Sequence, residues 1–110
     1  MRRFPMRPLS LALLLLPITV VGQEADYSLV IKDHRFLPAE LTVPAGKKIR
    51  LKIENKDATA EEFESYSLNR EKVIPGNTTG TIFVGPLNPG RYPFFGDFNE
   101  KTAQGALIAQ

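Results

Sequence analysis

Six side chains of metal-binding types occur in three short groups that the fold could bring together. They are His34, then Glu61, Glu62 and Glu64, then Asp97 and Glu100. Carboxylate oxygens with one imidazole suit Fe²⁺, Fe³⁺, Mn²⁺ or Cu²⁺ held as an open, partly hydrated ion. The pattern therefore predicts a weak metal site, provided that the fold brings the groups together.

Each of these residues also has a simpler interpretation. His34, between two charged neighbours, could be a solvated loop residue. The first glutamates could form a charged loop tip, and the two acids of the last group could be turn residues. Glu64 is different, because in a strand it shares a face with Glu62, Tyr66 and Leu68. If that face points inward, a buried carboxylate needs a partner.

The cysteine and histidine counts limit the chemistry of the chain. There is no Cys and one His, so a disulfide cannot form and no cysteine nucleophile is available. The fold must rest on core packing alone, and we expect a binding protein rather than an enzyme.

The first 22 residues have the pattern of a secretory signal. Arg2, Arg3 and Arg7 form a basic start, and Leu9 to Val21 is an apolar run. This run is too short to span a bilayer but suits a cleaved signal. We predict cleavage after Gly22, with an uncleaved anchor or a cut after Ala25 as alternatives, and export to the periplasm.

The remaining residues, 23–110, form one small domain of 88 residues. They carry eleven basic and twelve acidic side chains, a net charge of −1. The basic character of the whole chain therefore belongs to the predicted signal, and we do not expect nucleic acid as a partner.

Short strands separated by turn residues dominate residues 23–110. The clearest strand contains Ile49, Leu51 and Ile53, which alternate with charged residues. Other strand-like segments are YSLVI, ELTV, GTIFV, RYPFF and GALIA, and Pro93 suggests an edge or a bulge in RYPFF. No helical period occurs after residue 22. We therefore predict an all-β antiparallel sandwich or barrel of about six to eight strands.

These segments resemble a known family. The stretch from Ile31 to Asp57, followed by PLNPGRYPFFGDF and GALI, is similar to the cupredoxin fold, a Greek-key sandwich. With EEFES after the Asn-Lys-Asp turn, the chain more narrowly resembles small periplasmic cupredoxin-like proteins of bacterial ferrous-iron uptake. The resemblance implies the Greek-key topology, iron or copper as a possible cofactor, and a membrane iron permease or another periplasmic protein as partner.

The cupredoxin pattern also shows where copper ligands would lie. Blue-copper sites use a thiolate, two imidazoles and usually a weak thioether. Those positions fall on Gly96 for the thiolate, Asn99 for one histidine, Ala103 or Gln104 for the methionine, and Glu61 or Glu62 for the upstream histidine. None of these side chains is a soft ligand, so we expect no type 1 copper centre.

Two hypotheses follow. The first is a periplasmic accessory protein that binds iron or copper through the six residues named at the start, in iron uptake or redox handling, with ferrous-iron oxidation as a possible activity. The second is a metal-free cupredoxin scaffold that acts as a protein-binding module. Clustered carboxylates favour the first hypothesis, and the missing ligands favour the second.

Overall fold

Nine strands form the domain in the computed structural model, which describes residues 24–110. They are β1 (Ala25–Lys32), β2 (Arg35–Leu37), β3 (Glu40–Val43), β4 (Ile49–Asn55), β5 (Glu61–Ser65), β6 (Arg70–Ile74), β7 (Thr79–Val84), β8 (Gly90–Gly96) and β9 (Gln104–Ala109). Within this range the chain forms no helix long and apolar enough to cross a membrane. The predicted signal, residues 1–22, lies outside the described residues.

The strands form two sheets that face each other. One has the order β2-β1-β4-β7 and the other has the order β3-β9-β8-β5-β6. This arrangement confirms the predicted all-β sandwich. Most neighbours are antiparallel, but β1 pairs with β4 and β3 pairs with β9 in parallel. Parallel neighbours need a connection that crosses over, and here intervening strands separate the members of each pair along the chain.

Alternating apolar residues build the core between the sheets. Ile49, Leu51 and Ile53 of β4 are fully buried, as their alternation predicts. Phe36, Phe63 and Phe94 meet at the centre, with ring centroids 4.9 to 6.0 Å apart. Such contacts add to the hydrophobic stabilisation of a domain that has no disulfide.

The described residues contain one strand more than the upper limit predicted. The six segments predicted from sequence correspond to β1, β3, β4, β7, β8 and β9. The prediction missed β2, which has three residues, and β6, whose first four residues are exposed, and it considered β5 as a strand only when discussing Glu64. Strand β2 is too short to be recognised from sequence, and the sequence REKVI of β6 lacks the apolar alternation that marks a strand.

Pro93 lies in an interior strand of the five-stranded sheet, but at a position that is paired on one side only. Strand β8 lies between β9 and β5, but its register with β5 covers only Phe95 and Gly96. Pro93 therefore lies beyond that ladder, and its carbonyl accepts a hydrogen bond from Ser65 Oγ at 2.7 Å. This placement tolerates a residue that has no amide hydrogen.

Candidate functional site

The inward face of β5 begins with a buried carboxylate. Glu61 is 2% exposed and lies on the same face as Phe63 and Ser65. Its Oε1 accepts hydrogen bonds from the backbone N–H groups of Phe98 at 2.9 Å and Glu62 at 3.0 Å. Its Oε2 accepts a hydrogen bond from Asn99 Nδ2 at 2.7 Å. Three protein donors therefore compensate for burying the carboxylate.

The positions expected for copper ligands meet around this carboxylate. An ideal Cβ placed on Gly96 would lie 2.5 Å from Glu61 Cδ and 2.7 Å from Ala103 Cβ. Asn99 is in direct contact with Glu61 through the hydrogen bond already described. Of the two candidates for the upstream histidine position, Glu61 and not Glu62 lies in this cluster. Of the two candidates for the methionine position, Ala103 lies in it and is fully buried.

Gln104, the other candidate for the methionine position, lies on the surface. Its Nε2 donates a hydrogen bond to the backbone carbonyl of Glu100 at 2.9 Å. It therefore stabilises the start of β9 from outside and does not enter the cluster around Glu61.

The loop between β8 and β9 closes on itself over the Glu61 carboxylate. Gly96 N–H donates to Ala103 O at 2.8 Å, Asn99 N–H donates to Gly96 O at 3.1 Å, and Ala103 N–H donates to Asn99 O at 2.8 Å. Each buried side-chain nitrogen or oxygen of residues 24–110 has a hydrogen-bond partner. Hydrogen bonds within the protein thus order the loop.

Copper chemistry does not fit this cluster. One carboxylate, one amide, one methyl group and a glycine offer none of the sulfur or imidazole donors that a blue-copper site requires. The carboxylate oxygens of Glu61 are already used by Phe98, Glu62 and Asn99. The donor set at this position therefore does not fit a type 1 copper centre.

A second group of carboxylates lies on the outward face of β5. Ligand oxygens of Glu62, Glu64 and Asp97 all lie within 4.8 Å of one another. Both glutamates are partly buried and Asp97 is exposed. The structure thus brings together three of the six residues predicted to bind metal.

Crowding changes the acidity of one member of this group. The pKa of Glu64 is raised above its ordinary value, first because partial burial removes water from the carboxylate, and then because Asp97, Glu62 and Glu71 are also negative. The face of Glu64 points outward, so the inward alternative considered from sequence does not apply. The sequence analysis expected Tyr66 and Leu68 to share the face of Glu64. Strand β5 ends at Ser65, however, and beyond it Tyr66 is exposed and Leu68 is buried.

Glu100 and His34 share a pocket with Asp97 but are not members of the outward carboxylate cluster. They border an open pocket of about 490 Å³, together with Asp97 and Asn99. Neither side chain belongs to the Glu62, Glu64 and Asp97 cluster. Glu61, also predicted as a ligand, faces the interior instead.

The position of His34 is set by a carboxylate that sequence analysis missed. Asp33 and His34 both have positive φ, 52° and 57°, in the turn between β1 and β2. Asp57 accepts both of their backbone N–H groups, at 2.8 and 2.9 Å, and its Oδ2 lies 3.6 Å from His34 Nδ1. The bond from the His34 amide is the main cause that lowers the pKa of Asp57. The Asn-Lys-Asp turn was the available signal, but only the folded chain shows its partner.

Comparison with known proteins establishes the family. Residues 8–109 match the model of the cupredoxin-like domain, and this chain belongs to that family. It is also 48% identical over 83 residues to an uncharacterized protein of Rickettsia prowazekii (strain Madrid E). That match covers 76% of this chain and 66% of the relative, so the chain spans about two thirds of the relative's length.

Solved structures of copper proteins share the fold. The "blue" copper protein auracyanin A of Chloroflexus aurantiacus superposes with a TM-score of 0.69 at 16% identity, covering 79% of this chain and 99% of that chain. A purple cupredoxin of Nitrosopumilus maritimus gives 0.60 at 14% identity, covering 77% of this chain and all of the other. At these identities the similarity concerns the fold. The lack of cysteine excludes a type 1 centre here.

Proposed function

We propose that this chain is an exported cupredoxin-like protein that acts as a metal-free protein-binding module. The observation that carries this proposal is the Glu61 carboxylate, which is buried at the copper-ligand positions and bonded to three protein donors. A carboxylate with that many hydrogen bonds already holds the loop that a metal ion would otherwise have to organise.

Displacing this arrangement would be costly. An ion bound by Glu61 would have to break hydrogen bonds from Phe98 or Asn99 and leave those partly buried donors without their partner. In return it would find no second charged ligand at Gly96 or Ala103. The geometry therefore favours the scaffold hypothesis over metal binding at this position.

Metal handling is the second candidate, and the cluster of Glu62, Glu64 and Asp97 favours it. Three carboxylates whose oxygens lie within 4.8 Å could hold one partly hydrated hard cation. Under the metal-handling hypothesis, the protein would present iron or copper in the periplasm to a partner such as a membrane iron permease. The ion would relieve the repulsion that raises the pKa of Glu64.

Calorimetric titration of the protein without its signal, with Fe²⁺ under anaerobic conditions and with Cu²⁺, separates the two functions. We expect neither ion to bind more tightly than about millimolar, since three carboxylates without an imidazole or a further protein ligand leave most of the coordination positions to water. The Glu62→Gln and Glu64→Gln variants should then match wild type. Tighter binding that both substitutions weaken would overturn the metal-free proposal in favour of metal handling.

Two further measurements test the proposed setting. Protein mixed with Cu²⁺ should lack the intense thiolate-to-copper absorption near ~600 nm, because that band requires a sulfur ligand. Mass spectrometry of the cell-envelope fraction should find a chain that begins at Gln23. A chain that retains Met1 would contradict export with cleavage.

A further inference from the structure

The outer face of the five-stranded sheet combines acidic and aromatic side chains. Register places Gln104, Phe95, Glu64 and Glu71 in one row across β9, β8, β5 and β6. Together with their neighbours they form what we call the acidic-aromatic face, defined by Glu62, Glu64, Tyr66, Glu71, Phe95 and Asp97.

Two aromatic rings are available to a partner on this face. Tyr66 is 80% exposed, yet its ring packs against that of Phe95 with centroids 5.5 Å apart. The two rings border an open groove of about 570 Å³ that continues past Pro93 to Arg91 and Gln104. Exposed tyrosine beside a groove is typical of protein interfaces, because the ring offers a large contact area at low entropic cost.

The carboxylates of this face are not neutralised by ion pairs in the described part of the chain, although Arg70 borders the same pocket as Glu64 and Glu71. Among residues 24–110, no basic group forms an ion pair with Glu62, Glu64, Glu71 or Asp97. Glu64 and Glu71 are directly opposite each other on neighbouring strands, an arrangement that destabilises a sheet. A positively charged partner would relieve this repulsion.

The acidic charge is local rather than general. The net charge of residues 23–110 is only −1, although four of their twelve acidic residues lie on this face. The outer face of the other sheet carries both signs of charge: Arg50, Lys52 and Glu54 alternate along β4, and Arg50 forms an ion pair with Asp26. The two outer surfaces of the sandwich therefore differ in the charge that they offer.

We propose that the acidic-aromatic face docks a segment of a partner protein that presents lysine or arginine side chains. Their charged groups would meet Glu62, Glu64, Glu71 and Asp97, and their alkyl or guanidinium parts would lie over Tyr66 and Phe95. The inference rests on the proposed binding-module function and adds the chemistry of the partner. A hydrated metal ion would make no use of the rings, and an anionic membrane would be repelled.

The test uses the protein without its signal, in buffer that contains EDTA and low salt, and a synthetic twelve-residue peptide of alternating lysine and alanine. Backbone amide shifts in NMR titrations report where the peptide binds. We expect shifts confined to β5, β6, β8 and Tyr66, and no such shifts with a peptide in which glutamate replaces lysine. Binding should weaken as salt is added.

Variants then test the face itself. Glu64→Gln combined with Glu71→Gln should weaken peptide binding roughly threefold to tenfold, since each lost surface ion pair contributes only a small part of the affinity. Tyr66→Ala should weaken binding as well. The matched control is Asp33→Asn with Glu54→Gln, which removes two exposed carboxylates elsewhere and should leave binding unchanged.

Three results would overturn this proposal. They are no shifts on the face, equal weakening by the control pair, or concentration-dependent self-association in sedimentation that the Glu64 and Glu71 substitutions abolish, because the occupant would then be a second copy. Since EDTA removes free metal, none of these results depends on the metal titration. Tight metal binding in that titration would instead count against the proposed function alone.

Discussion

The two faces of β5 use the same residue type in opposite ways. Glu61 points inward, is buried, and has a hydrogen-bond donor for each carboxylate oxygen. Glu62 and Glu64 point outward and lie among other negative groups. Glu61 therefore stabilises the loop between β8 and β9 on the inner side of the sheet. Glu62 and Glu64 instead place negative charge on its outer surface.

The buried carboxylate of Glu61 is tolerated because neighbouring groups donate hydrogen bonds to both of its oxygens. A buried charge without partners would cost several kcal/mol in general, whereas Glu61 gathers its donors from its own strand and from the loop between β8 and β9. The outward carboxylates are only partly buried, so water still reaches them and they need no such shell. No ion pair among residues 24–110 offsets their repulsion.

The largest effect is expected from Glu61→Ala. The substitution leaves the amides of Phe98 and Asn99 without acceptors and opens a cavity, so the free energy of unfolding should fall by about 3 kcal/mol or more. Urea denaturation followed by circular dichroism measures the change.

Glu62→Ala is the matched control for that experiment, because it changes the next residue on the outward face. We expect it to alter the free energy of unfolding by no more than about 0.5 kcal/mol. Equal losses for the two variants would mean that the two faces of β5 do not differ in the way described.

A smaller loss is expected from Gly96→Ala. Its new methyl group would press on Glu61 Cδ and on Ala103 Cβ, which should lower the free energy of unfolding by about 1–3 kcal/mol. In a Glu61→Ala background the same change should cost less by about 1 kcal/mol, because the two positions share one space.

Gly105→Ala provides the control for this cycle. A Cβ there would meet Ala39 O at 2.5 Å and the Phe94 ring at 2.6 Å, away from Glu61. Its effect should therefore add to that of Glu61→Ala in urea denaturation. If the Gly96 and Glu61 substitutions were also simply additive, the carboxylate would not occupy the space beside Gly96.

Sequence alone predicted the fold better than the site. The alternation of Ile49, Leu51 and Ile53 and the regular turns predicted a sandwich, because burial on one face enforces a period of two. The same rule explains the uncertainty at Glu61 and Glu62, since a shift of one residue moves a side chain to the other face. Only the register of β5 with its neighbours resolves it.

The positions of His34 and the outward cluster depended on contacts that are distant in sequence. His34 is held by Asp57, which lies 23 residues away, and Asp97 reaches Glu62 through a backbone hydrogen bond of 2.9 Å. Residue types predicted that these groups could bind an ion. They did not predict which groups would meet, because that depends on the packing of loops.

The smallest effect is expected from Glu64→Gln, and its sign distinguishes the outward face from the inward one. Because the pKa of Glu64 is raised in the folded state, that state binds more protons in the interval above the ordinary glutamate pKa, and the stability contributed by this group falls as pH rises through that interval. At neutral pH the variant should unfold at a slightly higher urea concentration than wild type, and the difference should vanish at low pH, where Glu64 is protonated. Glu54→Gln, on the outer face of the other sheet, should show no comparable gain. A loss of stability in Glu64→Gln at neutral pH would instead mean that the carboxylate makes a favourable contact, and the contrast between the two faces would then fail.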